Sequence, residues 1–489
     1  MATTAVTAAL ILVAGCGGND KKSESGSENK GGESTTTSAT PSAPTVPSFD
    51  PPKAFSVAAA YPVPDYEGRE MYDDTKVGMV GQAALFVNYR GLTGHDIADP
   101  NKLWQIKSTE AETTTVSGVT DPMAVKVDGK DVAVVAYAQS DKGNGTQKSK
   151  DLVLVQWIDV ASGQKLAEVS TPVVAAGGPS VLHISGAQYD PETGQVAIGV
   201  ASSAKTSTVY ADPQTKKGTE LPDVLPGAVH NGVVAAAKAE SKENADDAGA
   251  VLVDGASGKV TKQIPLKQGL LRPIGGGAKH AFFYGTVYPK GGDEEVASLY
   301  SVDLSTGAVV KSAPGLSARD SGGYQCIWDQ ATSIVCTKLQ PTGPKEILGF
   351  DDSTGKKAWG FTSDSGQRIV PRVTAAFHGV VYVQTEKQPV LLDAKTGEDL
   401  PSSNPSPGET PSGSPTSGAS PSDSESPSGG GSESPGTSAG GNDMSLYNGT
   451  QMSPDAVSPY GGVFGQLPKG SGYGSNDVQL VSIVMKPTA

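Results

Sequence analysis

A chain of 489 residues that is 36% hydrophobic and 6% aromatic, with 61 Gly and 35 Pro, points to turn-rich β structure, because Gly and Pro interrupt helices and punctuate strands. The length suits more than one domain, or one large all-β unit. With 38 Lys and Arg against 52 Asp and Glu, the net charge of -14 argues against nucleic acid, whose phosphates need a basic face.

The first element is the apolar run AVTAALILVAGC, which is too short to span a membrane and ends in small residues before a Cys. Leu12, Val13, Ala14, Gly15 and Cys16 resemble a bacterial lipobox. That resemblance implies a signal peptide over residues 1–15, cleavage before Cys16, thioether lipidation of the Cys16 sulfur and acylation of the new N-terminus. Several acyl chains give durable anchoring, here on the outer face of the bacterial cytoplasmic membrane. No Lys or Arg precedes the run, whereas signal peptides open on a basic segment, so a translation start upstream of Met1 is expected. Residues 16–52 then form the lipidated Cys and a tether with almost no apolar residue, predicted to be disordered.

Residues 53–400 contain an internal repeat. The motif Asp-x-x-Ser/Thr-Gly runs from Asp159 to Gly163, Asp190 to Gly194, Asp254 to Gly258, Asp303 to Gly307, Asp351 to Gly355 and Asp393 to Gly397. Composition alone yields roughly one match. A degenerate copy, DPQTKKG from Asp212, fills a gap, so that with Asp190 set aside the steps are 53, 42, 49, 48 and 42 residues. That is the period of a four-stranded propeller blade. The motif suits a hairpin turn, in which Asp accepts backbone N–H groups, the hydroxyl does likewise and Gly takes the positive φ that ends the loop. Catalysis is not needed to explain it.

Each copy follows a strand-like run, such as LVLVQWI before Asp159, AVLV before Asp254 and LYSV before Asp303. Continuous apolar runs mean burial on both faces, as in a strand wedged between two neighbouring blades. HNGVVAA from His230, KHAFFYG from Lys279 and FHGVVYV from Phe377 read as one repeated second strand. TGKKAWGF, ending at Phe361, and NKLWQI, residues 101–106, place a Trp in the last strand of a blade.

These features resemble the PQQ-like β-propeller repeat over most of residues 75–400. The resemblance implies an all-β propeller of four-stranded blades, eight by our count, with seven the alternative. The stretches 54–61 and 460–485 are expected to close the ring jointly. Residues 401–443, rich in Ser, Pro, Gly and Glu and without Lys or Arg, read as a disordered acidic insertion between blades. Residues 444–489 contain PYGGVF and VQLVSIVM, two strand-like pieces that cannot stand alone and so must complete the propeller.

The remaining chemistry is sparse. Cys326 and Cys336 stand symmetrically about a turn near Ala331, so antiparallel strands would set them opposite each other for a disulfide, with no CxxC pair present. Of the five His, three (His230, His280 and His378) fall at nearly the same place in different repeats, which makes them turn residues and not a metal cluster. GFDDSTGKK, residues 349–357, has the wrong Gly spacing for a phosphate loop, and GTSAG, residues 436–440, lies in the predicted insertion without the strand and helix of a nucleophile elbow. The family resemblance also implies a quinoprotein dehydrogenase with PQQ and calcium. Those enzymes carry adjacent Cys residues over the cofactor, and no Cys-Cys pair exists here. The expectation is therefore a binding scaffold for a protein, peptide or envelope component, without catalytic residues, cofactor or metal. A sensor for a small molecule or glycan in the channel is the alternative, and a PQQ-dependent dehydrogenase the weaker one.

Overall fold

The computed structural model describes residues 46–488 apart from 63–74, 100, 110–113, 144–145, 147, 175–181, 203–204, 239–246, 288–294, 316–322, 366–367, 402–441 and 467–480. Cys16, the tether up to residue 45 and most of the acidic stretch, GTSAG included, thus lie outside the described residues. The described residues form an all-β propeller of eight antiparallel sheets. Blades one to seven span residues 76–107, 114–173, 183–222, 224–268, 270–312, 324–362 and 372–393. The eighth joins Ala456–Ser458, Gly461–Gln466 and Val481–Pro487 to Phe55–Pro62, which supplies the outermost strand.

Ring closure is therefore a strand pairing: Phe55 lies opposite Pro487 and Tyr61 opposite Ser482 in an antiparallel ladder. Each of the eight boundaries between neighbouring blades holds its own apolar cluster, such as Trp157 with Val196 and Ile198 between blades two and three. That distribution explains the continuous apolar runs, because a central strand such as Lys150–Asp159 is covered on both faces.

Two blades depart from four regular strands. The inner strand of blade two is split into Thr114–Val119 and Met123–Val127, both paired with Lys130–Asp141. Blade seven has three strands, with Asp399 bridging Leu392 where a fourth strand would begin. The runs from His230, Lys279 and Phe377 do carry second strands, Val233–Lys238, His280–Val287 and Val380–Gln384. Trp104 and Trp359 lie in the fourth strands Leu103–Lys107 and Lys356–Thr362.

Antiparallel connectivity makes the two faces of the ring unlike. First-to-second and third-to-fourth turns, among them the Asp motifs, share one face and are short. The remaining connections, most of them longer in sequence, join strand ends on the other face. Residues 46–54 run across the tight-turn face before entering Phe55–Pro62. Phe49 N–H donates to Pro459 O at 2.8 Å, and Tyr382 Oη donates to Pro52 O at 2.6 Å.

Candidate functional site

The Asp motifs are structural turns. At Asp303 the carboxylate accepts the N–H groups of Ser305 (2.9 Å) and Thr306 (2.6 Å) as well as both hydroxyls, and Gly307 N–H closes the loop on Asp303 O at 2.7 Å. Asp393 likewise accepts the backbone N–H groups of Lys395 and Thr396, and the closing bond recurs from Gly163, Gly258, Gly355 and Gly397 to Asp159, Asp254, Asp351 and Asp393. Gly307 has φ +64° and Gly397 φ +70°, and Lys216 in the degenerate copy is held at φ +52°. Partial burial opposes ionisation of Asp303, but the donors from Ser305 and Thr306 outweigh it and hold the carboxyl at about 2. Each of these turns follows the third strand of its blade and leads into the fourth, or in blade seven into the isolated bridge at Asp399. Asp190 does not: it closes the first hairpin of blade three, between His183–Tyr189 and Val196–Ala201, which accounts for its place outside the period.

Three buried carboxylates clasp neighbouring blades on the tight-turn face. Asp190 accepts Asn231 N–H at 2.9 Å, Asp329 accepts Gly379 N–H at 3.0 Å, and Asp352 accepts the N–H groups of Lys279 and His280 at 3.1 and 3.0 Å. Sequence reasoning missed Asp329 and Asp352, since nothing local distinguishes them from other turn carboxylates. Burial is the larger influence on Asp352 and raises its pKa above the usual carboxylate range against those hydrogen bonds. The three His sit at these same hairpins in separate blades: His230 Nδ1 lies 3.2 Å from the Asp190 carboxylate, His280 Nδ1 contacts Asp352 O, and His378 Nδ1 meets Asp50. His95 stacks on Tyr61, and His183 is exposed at the start of an inner strand. Among the described residues no group of His, Cys, Asp or Glu is arranged to hold a metal ion.

The first hairpins of seven blades surround a cavity of about 670 Å³ at the channel mouth on this face. Trp328, Phe377 and Tyr460 line it together with Lys126, Glu192 and Asp50. Lys126 is paired with Asp131, also on the wall, and the indole Nε1 of Trp328 is buried without a hydrogen-bond partner among the described residues. This is room for a small polar molecule.

The opposite face exposes apolar side chains at its strand ends. Val174 and Ile369 are 70% and 73% exposed, and Leu270, Val296 and Leu339 are also exposed there. A second cavity of about 630 Å³ opens on this face between blades six and seven.

Cys326 and Cys336 are directly paired across Tyr324–Trp328 and Ser333–Gln340 and are joined by a disulfide. Residues 349–357 are the end of one strand, an Asp turn and the start of the next, with no helix to hold a phosphate.

No family model matches the chain, and no curated protein matches it. Among solved structures it is similar to a Dos1 propeller, at 8% identity over 71% of this chain and 85% of that one with a TM-score of 0.41. It is similar to the dihydro-heme d1 dehydrogenase NirN at 14% identity over 73% and 75% with a TM-score of 0.40. For a prolyl endopeptidase the identity is 14% and the TM-score 0.38, over 67% of this chain and 48% of that one.

Proposed function

We propose that this chain is a lipid-anchored, extracytoplasmic scaffold of PQQ-like repeats that binds a protein, peptide or envelope component, without chemistry of its own, on the face that carries the long connections. The observation behind this reading is the asymmetry of the ring. The two most exposed large apolar side chains among the described residues, Val174 and Ile369, lie with Leu270, Val296 and Leu339 at strand ends of one face, whereas Leu103, Val260 and Val309, less exposed than those two, lie at the ends where short turns close the other. Exposed apolar surface rimmed by polar residues marks interaction sites. The pattern from Leu12 to Cys16 supports the anchor, and the self-satisfied Asp turns support a structural role for the repeat.

Photo-crosslinkers at Val174 and Ile369 in membrane-bound protein should capture one partner, whereas crosslinkers at Lys126 and Gln330, both on the wall of the tight-turn cavity, should not. Capture from the tight-turn positions alone would overturn the choice of face. Cys16→Ser should move the protein from the detergent phase to the aqueous phase, and unchanged partitioning would remove the anchor. A second reading, a small-molecule sensor, draws on the cavity walled by Trp328, Phe377 and Tyr460. A small-molecule thermal-shift response abolished by Trp328→Ala would favour it.

A further inference from the structure

We propose that the cavity between blades six and seven is a carboxylate site for the free C-terminal end of a peptide whose last side chain is apolar. The inference rests on the scaffold reading and gives that partner a chemistry. The whole chain holds six Arg residues, and two of them, Arg368 and Arg372, line this one cavity of about 630 Å³. Clustering of so scarce a side chain in a chain of net charge -14 makes the cavity a local exception to an acidic molecule.

The two guanidinium groups differ in availability. Arg368 is engaged, with Nη1 donating to Gly397 O at 2.8 Å, Nη2 paired with Asp399 and the guanidinium carbon 4.3 Å from the Phe361 ring centre. Arg372, the exposed first residue of Arg372–Phe377, pairs with Gln384 in the strand ladder, but its guanidinium makes no hydrogen bond or ion pair among the described residues. Asp455 senses its charge through space, without an ion pair between them. A planar guanidinium with unfilled donors matches a carboxylate in bidentate fashion.

Ile369 fixes the kind of carboxylate. Its side chain is 73% exposed on the wall of the same cavity, so it offers apolar contact beside the charge. A terminal peptide residue combines these two features, a carboxylate and an adjacent apolar side chain. Thr342 and Ser363 supply hydroxyls for the peptide group before it. Glu386, also on the wall, is a negative charge that disfavours an acidic last residue or a doubly charged phosphate.

The test uses the full chain in detergent micelles and fluorescence anisotropy of a dye-labelled Ala-Ala-Ala-Leu peptide, compared with the same peptide as its C-terminal amide. The free acid should bind saturably. The amide, and the acid with Arg372→Gln, should bind at least about tenfold more weakly, the loss expected for a charge-assisted bidentate pair. Arg372→Lys, which keeps the charge but not the fork, should fall between. Ile369→Ser should weaken binding several-fold, and Arg90→Gln on the first blade should bind as the unaltered protein does. Circular dichroism melts establish that each variant is folded. Equal binding of acid and amide, undiminished binding by Arg372→Gln, or no saturable binding by the unaltered protein would each overturn the site. If peptide discrimination fails while crosslinked partner capture persists, the site falls and the scaffold stands. If discrimination holds while capture from the long-connection face is absent, the scaffold reading falls and the site stands.

Discussion

Gly397 lies beneath the indole of Trp359: a Cβ added at this glycine would sit 2.4 Å from the ring. The two residues belong to adjacent blades, and Trp359 Nε1 also donates to Ala394 O, in the same Asp turn, at 2.9 Å. Trp104 repeats the arrangement between blades one and two, over Gly163 and bonded to Val160 O at 3.1 Å. The Trp of one fourth strand thus locks onto the Asp turn of the next blade, so the Gly of the motif serves inter-blade packing as well as turn geometry.

Gly397→Ala should accordingly cost more than the backbone alone requires. A left-handed φ costs an L-residue about 1 kcal/mol or somewhat more, and overpacking adds about 1–3 kcal/mol. Gly379 has φ +88° but no atom within 4 Å of an added Cβ, so Gly379→Ala should show the first cost only. Urea denaturation of the two variants measures the difference, and equal losses would show that the Trp359 contact carries no weight.

Asp303 predicts a pH dependence. Its folded carboxyl, held at about 2, lies below the unfolded value of about 3.9, so its contribution is complete above the unfolded value and is lost as pH falls through the folded one. Asp303→Asn should be less stable than the parent by about 1 kcal/mol at neutral pH, with the gap closing between about pH 4 and pH 2. Melting temperatures across that range are the check. A gap independent of pH would mean that the carboxylate charge is not its source.

The disulfide should stabilise one hairpin without being needed to form it. Cys326 and Cys336 are separated by 10 residues, a loop for which cross-linking contributes about 2–3 kcal/mol. Cys326→Ala combined with Cys336→Ala should lose that much and keep its β-sheet circular dichroism. Non-reducing peptide mapping of freshly isolated protein should find the two joined, and free thiols at both positions would contradict the pairing.

Binding should survive removal of metal. Protein treated with chelator should capture its partner as well as untreated protein does, and PQQ with calcium should leave the melting temperature unchanged. A quinoprotein would instead gain stability when cofactor fills its folded ring. A cofactor-dependent shift with dye-linked alcohol oxidation would make the channel the working site.

The fold was legible where its causes are local. Asp303, Ser305, Thr306 and Gly307 contact one another within five residues, so their chemistry shows in the sequence and their spacing shows the blade. Asp190, set aside from the period, shows the limit of such local chemistry: an identical turn can close a different hairpin, and only strand order distinguishes the two. Asp352 meets Lys279 across 73 residues and Asp329 meets Gly379 across 50, separations that no motif records. Arg372 and Ile369 become a candidate site only because two blades bring their ends together around a cavity.

The pairing of Phe55–Pro62 with Val481–Pro487 also sets a timetable. The outermost strand of blade eight is among the first parts of the ring to be synthesised, and its partner is among the last, so seven blades can assemble while the eighth waits for residues 481–487. Contacts so distant in sequence form slowly, because the chain entropy of closure is lost before any contact offsets it. During synthesis the ring therefore stays an open arc, with a bare edge at each end, until that final strand has emerged. Loss of those seven residues alone would leave every other blade built and the circle unsealed.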